Sequence, residues 1–237
     1  MWSNGRSEAA LEEALPAPVQ IRRIRNARRL RLRFDESSGT FKLTCPWRTS
    51  RRAALAWAVE QRPWIEAQLA SAQPRILLRP GTIIPIEGAD TLVVWLEAAP
   101  RAPTLCDGQL RCGGPTEGVE RRVASYLRKL ARDVMSNEAA DYAAKAGVVV
   151  KSVSVGDAAT RWGSCSSAGH IRLNWRLILA PPEVRRYVVA HEVAHLRHFD
   201  HGPQFKAFEQ QLFGPGLTSA KANLRRLGPG LRRLGRS

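Results

Sequence analysis

Histidine is scarce in this chain of 237 residues: there are five, and the first 169 positions hold none. Cysteine is scarcer. Cys45, Cys106, Cys112 and Cys165 are scattered and form no C-x-x-C pair, so free thiols in a reducing, cytoplasmic setting are expected. Long apolar runs are missing as well. No segment approaches the roughly 20 apolar residues of a membrane span, and the opening MWSNGRSEAALEEALPAPVQ has no run of signal-peptide length. Neither a membrane partner nor a secretory leader is expected. Acidic residues are in deficit. Asp and Glu number 21 against 31 Arg and 6 Lys, a formal net charge of +16. That excess suits a polyanionic partner, usually nucleic acid, bound through a basic surface. An arginine-favouring codon bias with a solvated basic surface gives the same composition. What is plentiful points to a folded protein: 44% apolar residues, seven tryptophans, and enough length for one large domain or two small ones.

The organisation follows from composition and period. Residues 1–18, ending in PAP, read as a mobile lead-in. RRLRLRF (28–34) alternates, with Leu30, Leu32 and Phe34 on one side and Arg29, Arg31 and Arg33 on the other, as in a half-buried strand. After the ESSGT turn, FKLTC repeats the pattern, which makes a β-hairpin. Ser50 caps a helix over 51–61, and Pro63 opens a second short one to about 71. GTIIPIEG, TLVVWL and QLRC are short strands. Residues 19–112 are therefore read as one β-rich region with a helical insert. From Val119 to Val134 the apolar period turns helical. Thr116 serves as N-cap and Gly147 as the stop of one helix of about 30 residues. VVVKSVSV is then a strand, and RWGSCSSAGHIRLNW is two strands around the turn at 167–169. Residues 116–212 are read as a second domain. The basic stretch 213–237, interrupted by GPG at 228–230, is assigned to a frayed tail or contact arm.

Four of the five histidines lie in YVVAHEVAHLRHFDHGPQF, residues 187–205. Pro181 and Pro182 open a helix over 182–198. On it Val184, Val188, His191 and His195 share one stripe, so the two imidazoles, four apart, project side by side. Such a pair can hold one zinc ion, and Glu192 between them can reach a metal-bound water without being a ligand. A third ligand is required. His198 is on the same helical face and His201 lies beyond it. The turn-forming Asp200, Gly202 and Pro203 let His201 swing back over the site, so His201 is favoured and His198 is read as a neighbour. A fourth ligand from Cys165 or His170 would instead mark a structural zinc in a nucleic-acid-binding module.

The segment from Arg161 to Phe205 resembles the YgjP-like metallopeptidase domain, a zincin relative of the SprT and WLM groups. The resemblance rests on R-W-G-S-C at Arg161–Cys165 and H-E-x-x-H-x5-H at His191, Glu192, His195 and His201. It extends more weakly through the N-terminal arginine-rich hairpin and WAVEQRPWI. It implies a zincin fold with Zn2+ as cofactor and His201 as third ligand.

The expectation is therefore an α+β protein: a zincin-like catalytic domain beside an N-terminal β-rich region. It would hydrolyse peptide bonds in a protein or peptide substrate, with Glu192 as general base. Arg161 and Tyr187 are candidates to contact the oxyanion or substrate. Trp162 is a candidate too, with core packing as its other reading. The RWGSC strand could offer its edge to an extended peptide. SprT-type relatives act on proteins crosslinked to DNA, so a protease for DNA-bound proteins is a further reading.

Overall fold

The computed structural model describes residues 7–35, 39–71, 76–158 and 160–235. They fall into two compact units, one reaching to position 74 and one running from 75 to 235.

In the first unit Ser7 caps α1 (Glu8–Glu13), accepting a hydrogen bond from the Ala10 N–H, and Leu11 is buried. Strands β1 (Val19–Ile24), β2 (Arg31–Asp35) and β3 (Thr40–Pro46) form one sheet in the order β1-β3-β2. The β2–β3 pair is antiparallel, as a hairpin requires; its expected turn falls, at 36–38, outside the described residues. β1 pairs with β3 in parallel, an arrangement the alternating pattern does not reveal. Helix α2 (Arg51–Glu60) is capped by Ser50, whose side chain accepts from the Ala53 N–H, and α3 (Arg62–Ser71) carries Pro63 in its first turn. Leu43 and Cys45 of the sheet and Ala54 and Ala58 of α2 make the core, with Val19, Ile21, Leu32 and Trp57 around them.

The second unit begins with a four-stranded sheet of β4 (Ile83–Ile86), β5 (Ala89–Trp95), β6 (Thr104–Cys106) and β7 (Gln109–Cys112), ordered β4-β5-β7-β6. A 3-10 turn at Thr116–Gly118 leads into α4 (Val119–Ala146), whose 28 residues span about 42 Å. Gly147 ends it with φ 64°, a left-handed conformation that glycine adopts at little cost. Strands β8 (Ser152–Gly156), β9 (Gly163–Cys165) and β10 (His170–Asn174) form a second sheet in the order β8-β10-β9, which leaves β9 at an edge. A wholly buried 3-10 turn, Trp175–Leu179, leads to α5 (Pro182–Ala194), α6 (Pro203–Phe213) and α7 (Leu217–Arg233). α5 is almost entirely interior: Val184, Tyr187, Val188, Val189, Ala190, Val193 and Ala194 are all buried. Packing overrides the modest helix propensity of its valines.

The fold is α+β, as the sequence indicates, but several limits move. The lead-in is ordered from Ser7, because α1 has a cap and a buried leucine, and Arg51 pairs with Glu8 and Glu12. Positions 1–6 lie outside the described residues. The strands of 83–112 sit in the second unit, since Ile84, Ile86, Val93, Leu110 and Cys112 join the core of α4 and α5. Thr116 opens the 3-10 turn rather than capping α4; the cap position is Gly118, which makes no side-chain bond. α5 stops at Ala194, short of 198, as the chain tightens so that Leu196 N–H meets the Val193 carbonyl. The stretch 213–237 is not frayed through its described part. α7 runs through Pro229, and Leu217, Ala220, Gly228 and Leu231 are buried along one stripe, a helical spacing hidden by the GPG.

If α7 closes the core in this way, Leu231→Ala should lower the unfolding free energy by about 2–4 kcal/mol in urea titrations. A tail without packing would leave the midpoint unchanged.

Candidate metal centre

α5 delivers His191 to its last turn and His195 to its C-terminal cap. The ring centroids of the two are 4.8 Å apart. Residues 196–202 then turn the chain, Asp200 Oδ1 accepting from the Gly202 N–H at 2.9 Å, and return His201 to the same place. Its ring lies 5.3 Å from that of His191 and 4.7 Å from that of His195. One nitrogen from each of the three lies within 4.8 Å of the others. Phe205, 1% exposed at the start of α6, floors the group, with its ring 4.6 to 5.1 Å from all three.

The outward nitrogens are already engaged. His191 Nδ1 lies 2.6 Å from Glu209 Oε1, and His195 Nδ1 lies 3.1 Å from the His198 carbonyl oxygen. A carboxylate and a carbonyl only accept, so both Nδ1 atoms carry the proton. In the neutral rings each Nε2 then presents a lone pair. His191 Nε2 faces His201 Nε2 at 3.3 Å. Two imidazole nitrogens bound to a single zinc at tetrahedral angles and ordinary Zn–N lengths stand about 3.3 Å apart. The donor set and spacing therefore fit a divalent cation.

Glu192 is 5% exposed. Burial pushes its carboxyl up to about 7, although His191 and Arg161 pull the other way. Its space exists because position 163 lacks a side chain: a Cβ on Gly163 would stand 2.3 Å from Glu192 Oε1. Glu209 behaves differently. Burial raises it, but the hydrogen bond from His191 and the charges of His191, Lys221 and His201 prevail and hold it below the usual carboxylate range. Neither Gly163 nor Glu209 stands out in the sequence. Gly163 could have been questioned as the small residue inside RWGSC; Glu209 lies 18 positions beyond its histidine with nothing local to mark it.

The other expected residues are spread around this group. Arg161 is exposed, and its charge reaches Glu192. Tyr187 is 7% exposed, with its ring 6.1 Å from that of His191, and burial pushes its phenol up to about 12. Trp162 packs under α7: the Arg232 guanidinium sits 4.3 Å from its ring centroid, and Gly228 lies against the indole. His198 turns its ring to Phe208, 5.7 Å between centroids. Cys165 and His170 are not part of the histidine group. Cys165 is half-buried with its thiol pushed up to about 11 by burial, then by Glu192, and His170 Nδ1 pairs with Ser152 Oγ at 2.8 Å.

The raised Glu192 carboxyl makes stability depend on pH in the metal-free protein. Its proton is held more tightly folded than unfolded, so stability falls as pH rises from about 4.5 to 7. Glu192→Gln should be more stable than wild type at pH 8 by about 3 kcal/mol, with the gap closing towards pH 5. Equal unfolding curves at pH 8 would mean that the carboxyl is not buried.

A family model for the YgjP-like metallopeptidase domain matches residues 28–227. No curated protein and no solved structure matches the chain. Among the described residues no helix is long and apolar enough to cross a membrane. The matched range includes the RWGSC strand, all five histidines, Glu192 and Glu209, and it takes in most of the sequence. The chain belongs to the YgjP-like metallopeptidase family.

Proposed function

We propose that the chain is a zinc-dependent peptidase in which His191, His195 and His201 hold the ion and Glu192 is the general base. The observation that carries this reading is the convergence of three imidazoles, one nitrogen of each within 4.8 Å of the others, with His191 and His195 held through Nδ1 by Glu209 and a carbonyl. A zinc ion supplied to these nitrogens brings the pKa of a water towards about 7 and polarises a substrate carbonyl.

The protein groups do the rest. Glu192 takes the water's proton on a carboxylate oxygen and returns it to the departing amine, a role open to a buried carboxylate one position round the helix from His191. Glu209 keeps His191 in the tautomer that presents Nε2. β9, at the edge of its sheet, offers backbone groups to which an extended peptide adds as a strand. Of the three residues considered for contacts to the oxyanion or substrate, Arg161 fits best, being exposed and within electrostatic reach of Glu192. Tyr187 lies buried beside His191, and Trp162 serves packing. The substrate class is protein or peptide. Four free cysteines suit work in a reducing cytoplasm.

Zinc measured by elemental analysis should be about one per chain. His201→Ala should lose most of it and His198→Ala should keep it; the reverse would make His198 the ligand. Glu192→Gln should retain zinc and fold while cleavage of an unfolded protein falls about 10²–10⁴-fold. Undiminished cleavage by that zinc-loaded variant would remove Glu192 from the chemistry.

A further inference from the structure

We propose that the outer face of the β1-β3-β2 sheet binds single-stranded nucleic acid, with Arg22, Arg31, Arg33 and Lys42 on the phosphodiester backbone and Trp47 stacking on a base. The register sets the four cations on one face. Gln20, Lys42 and Arg33 lie in one row across the three strands, and Arg22, Thr44 and Arg31 lie in the next. The alternate positions, among them Ile21, Leu32, Phe41 and Leu43, point the other way into the core. Neighbouring strands are about 4.8 Å apart and alternate residues on one strand about 6.8 Å, so the four cations occupy a patch about 10 Å by 7 Å.

All four side chains are exposed, and nothing among the described residues covers them. Lys42 pairs with Asp35 at 2.5 Å; Arg22, Arg31 and Arg33 have no carboxylate partner among the described residues. Guanidinium forks match phosphate oxygens two at a time. The concentration of charge argues against a uniform arginine bias. Positions 19–52 hold 11 basic residues against 2 acidic ones, whereas the rest of the chain holds 26 against 19.

Trp47 follows β3 directly, at the end of the strand that carries Lys42, and its large indole is 58% exposed. Aromatic stacking on unpaired bases gives it a use that a closed duplex does not offer. A bilayer surface would call for an apolar stripe to insert, and the face has none. The proposal is independent of the metal centre, which lies in the other unit.

The test is fluorescence anisotropy of the full chain with labelled 20-residue oligothymidylate and oligouridylate, from 50 to 200 mM salt. A duplex of the same length and vesicles containing phosphatidylserine serve as competitors. The wild type should bind a single strand, and affinity should fall steeply with salt. The triple variant Arg22→Ala, Arg31→Ala, Arg33→Ala should bind at least about 10-fold more weakly at 50 mM. It should also lower the slope of log K against log salt by about 2, as three phosphate contacts predict. Trp47→Ala should cost about 5- to 100-fold. A control removing equal charge from exposed positions elsewhere (Arg121→Ala, Arg132→Ala, Lys151→Ala) should bind like wild type. Circular dichroism and the urea midpoint establish that each variant is folded. The proposal is overturned if the control loses as much as the triple variant, if Trp47→Ala changes nothing, or if duplex or vesicles compete better than the single strand.

Discussion

β9 and α5 meet at Gly163, where even a methyl group would stand 2.3 Å from Glu192 Oε1. That approach excludes water from the carboxyl, and exclusion of water is what raises its affinity for a proton. The spacing is kept from behind. Asn174 donates through its side chain to the Ala158 carbonyl, and its N–H donates to the Trp162 carbonyl at 2.8 Å, so β10 holds the stretch leading into Gly163. The 3-10 turn that follows is fully buried and ties β10 to the start of α5. Sheet edge, helix and carboxyl are in this way parts of one rigid arrangement.

Two carboxyl groups near the same histidines are tuned in opposite directions. For Glu192 burial outweighs the pull of His191 and Arg161 and it is raised, whereas Glu209, also buried, has a histidine N–H at 2.6 Å and Lys221 nearby and is lowered. In the metal-free protein the first holds its proton towards neutrality, while the second stays ionised beside the ring it bonds. The difference comes from surroundings alone, since both are glutamates on helices and both are buried.

What could be read from the sequence was what depends on near neighbours. The four-residue spacing of His191 and His195, the alternation through β2 and β3, the Ser50 cap and the Gly147 stop are all local, and all are present. The return of His201 was legible because Asp200, Gly202 and Pro203 are turn residues. What escaped depends on partners far along the chain. β1 is recognisable only by its parallel pairing with β3, and Glu209 matters only because α6 lies against α5. In α7 the Gly228–Pro229–Gly230 triplet masked an apolar stripe that packing retains. The strands of 83–112 looked like part of the first unit because they follow it in order; their buried faces belong to α4 and α5.

Arg176 is 0% exposed, and its guanidinium joins Asp157 to the carbonyls of Leu234 and Gly235. Beside it Ile76 and Leu234, from opposite ends of the same unit, form a parallel bridge. Asp157, which neutralises this cation, precedes every histidine in the chain, whereas the two carbonyls that complete its hydrogen bonds follow the last of them. Burial of the Arg176 guanidinium with all its hydrogen bonds made thus requires residues from both sides of the histidine segment, so the core of this unit is complete only with its last turn in place.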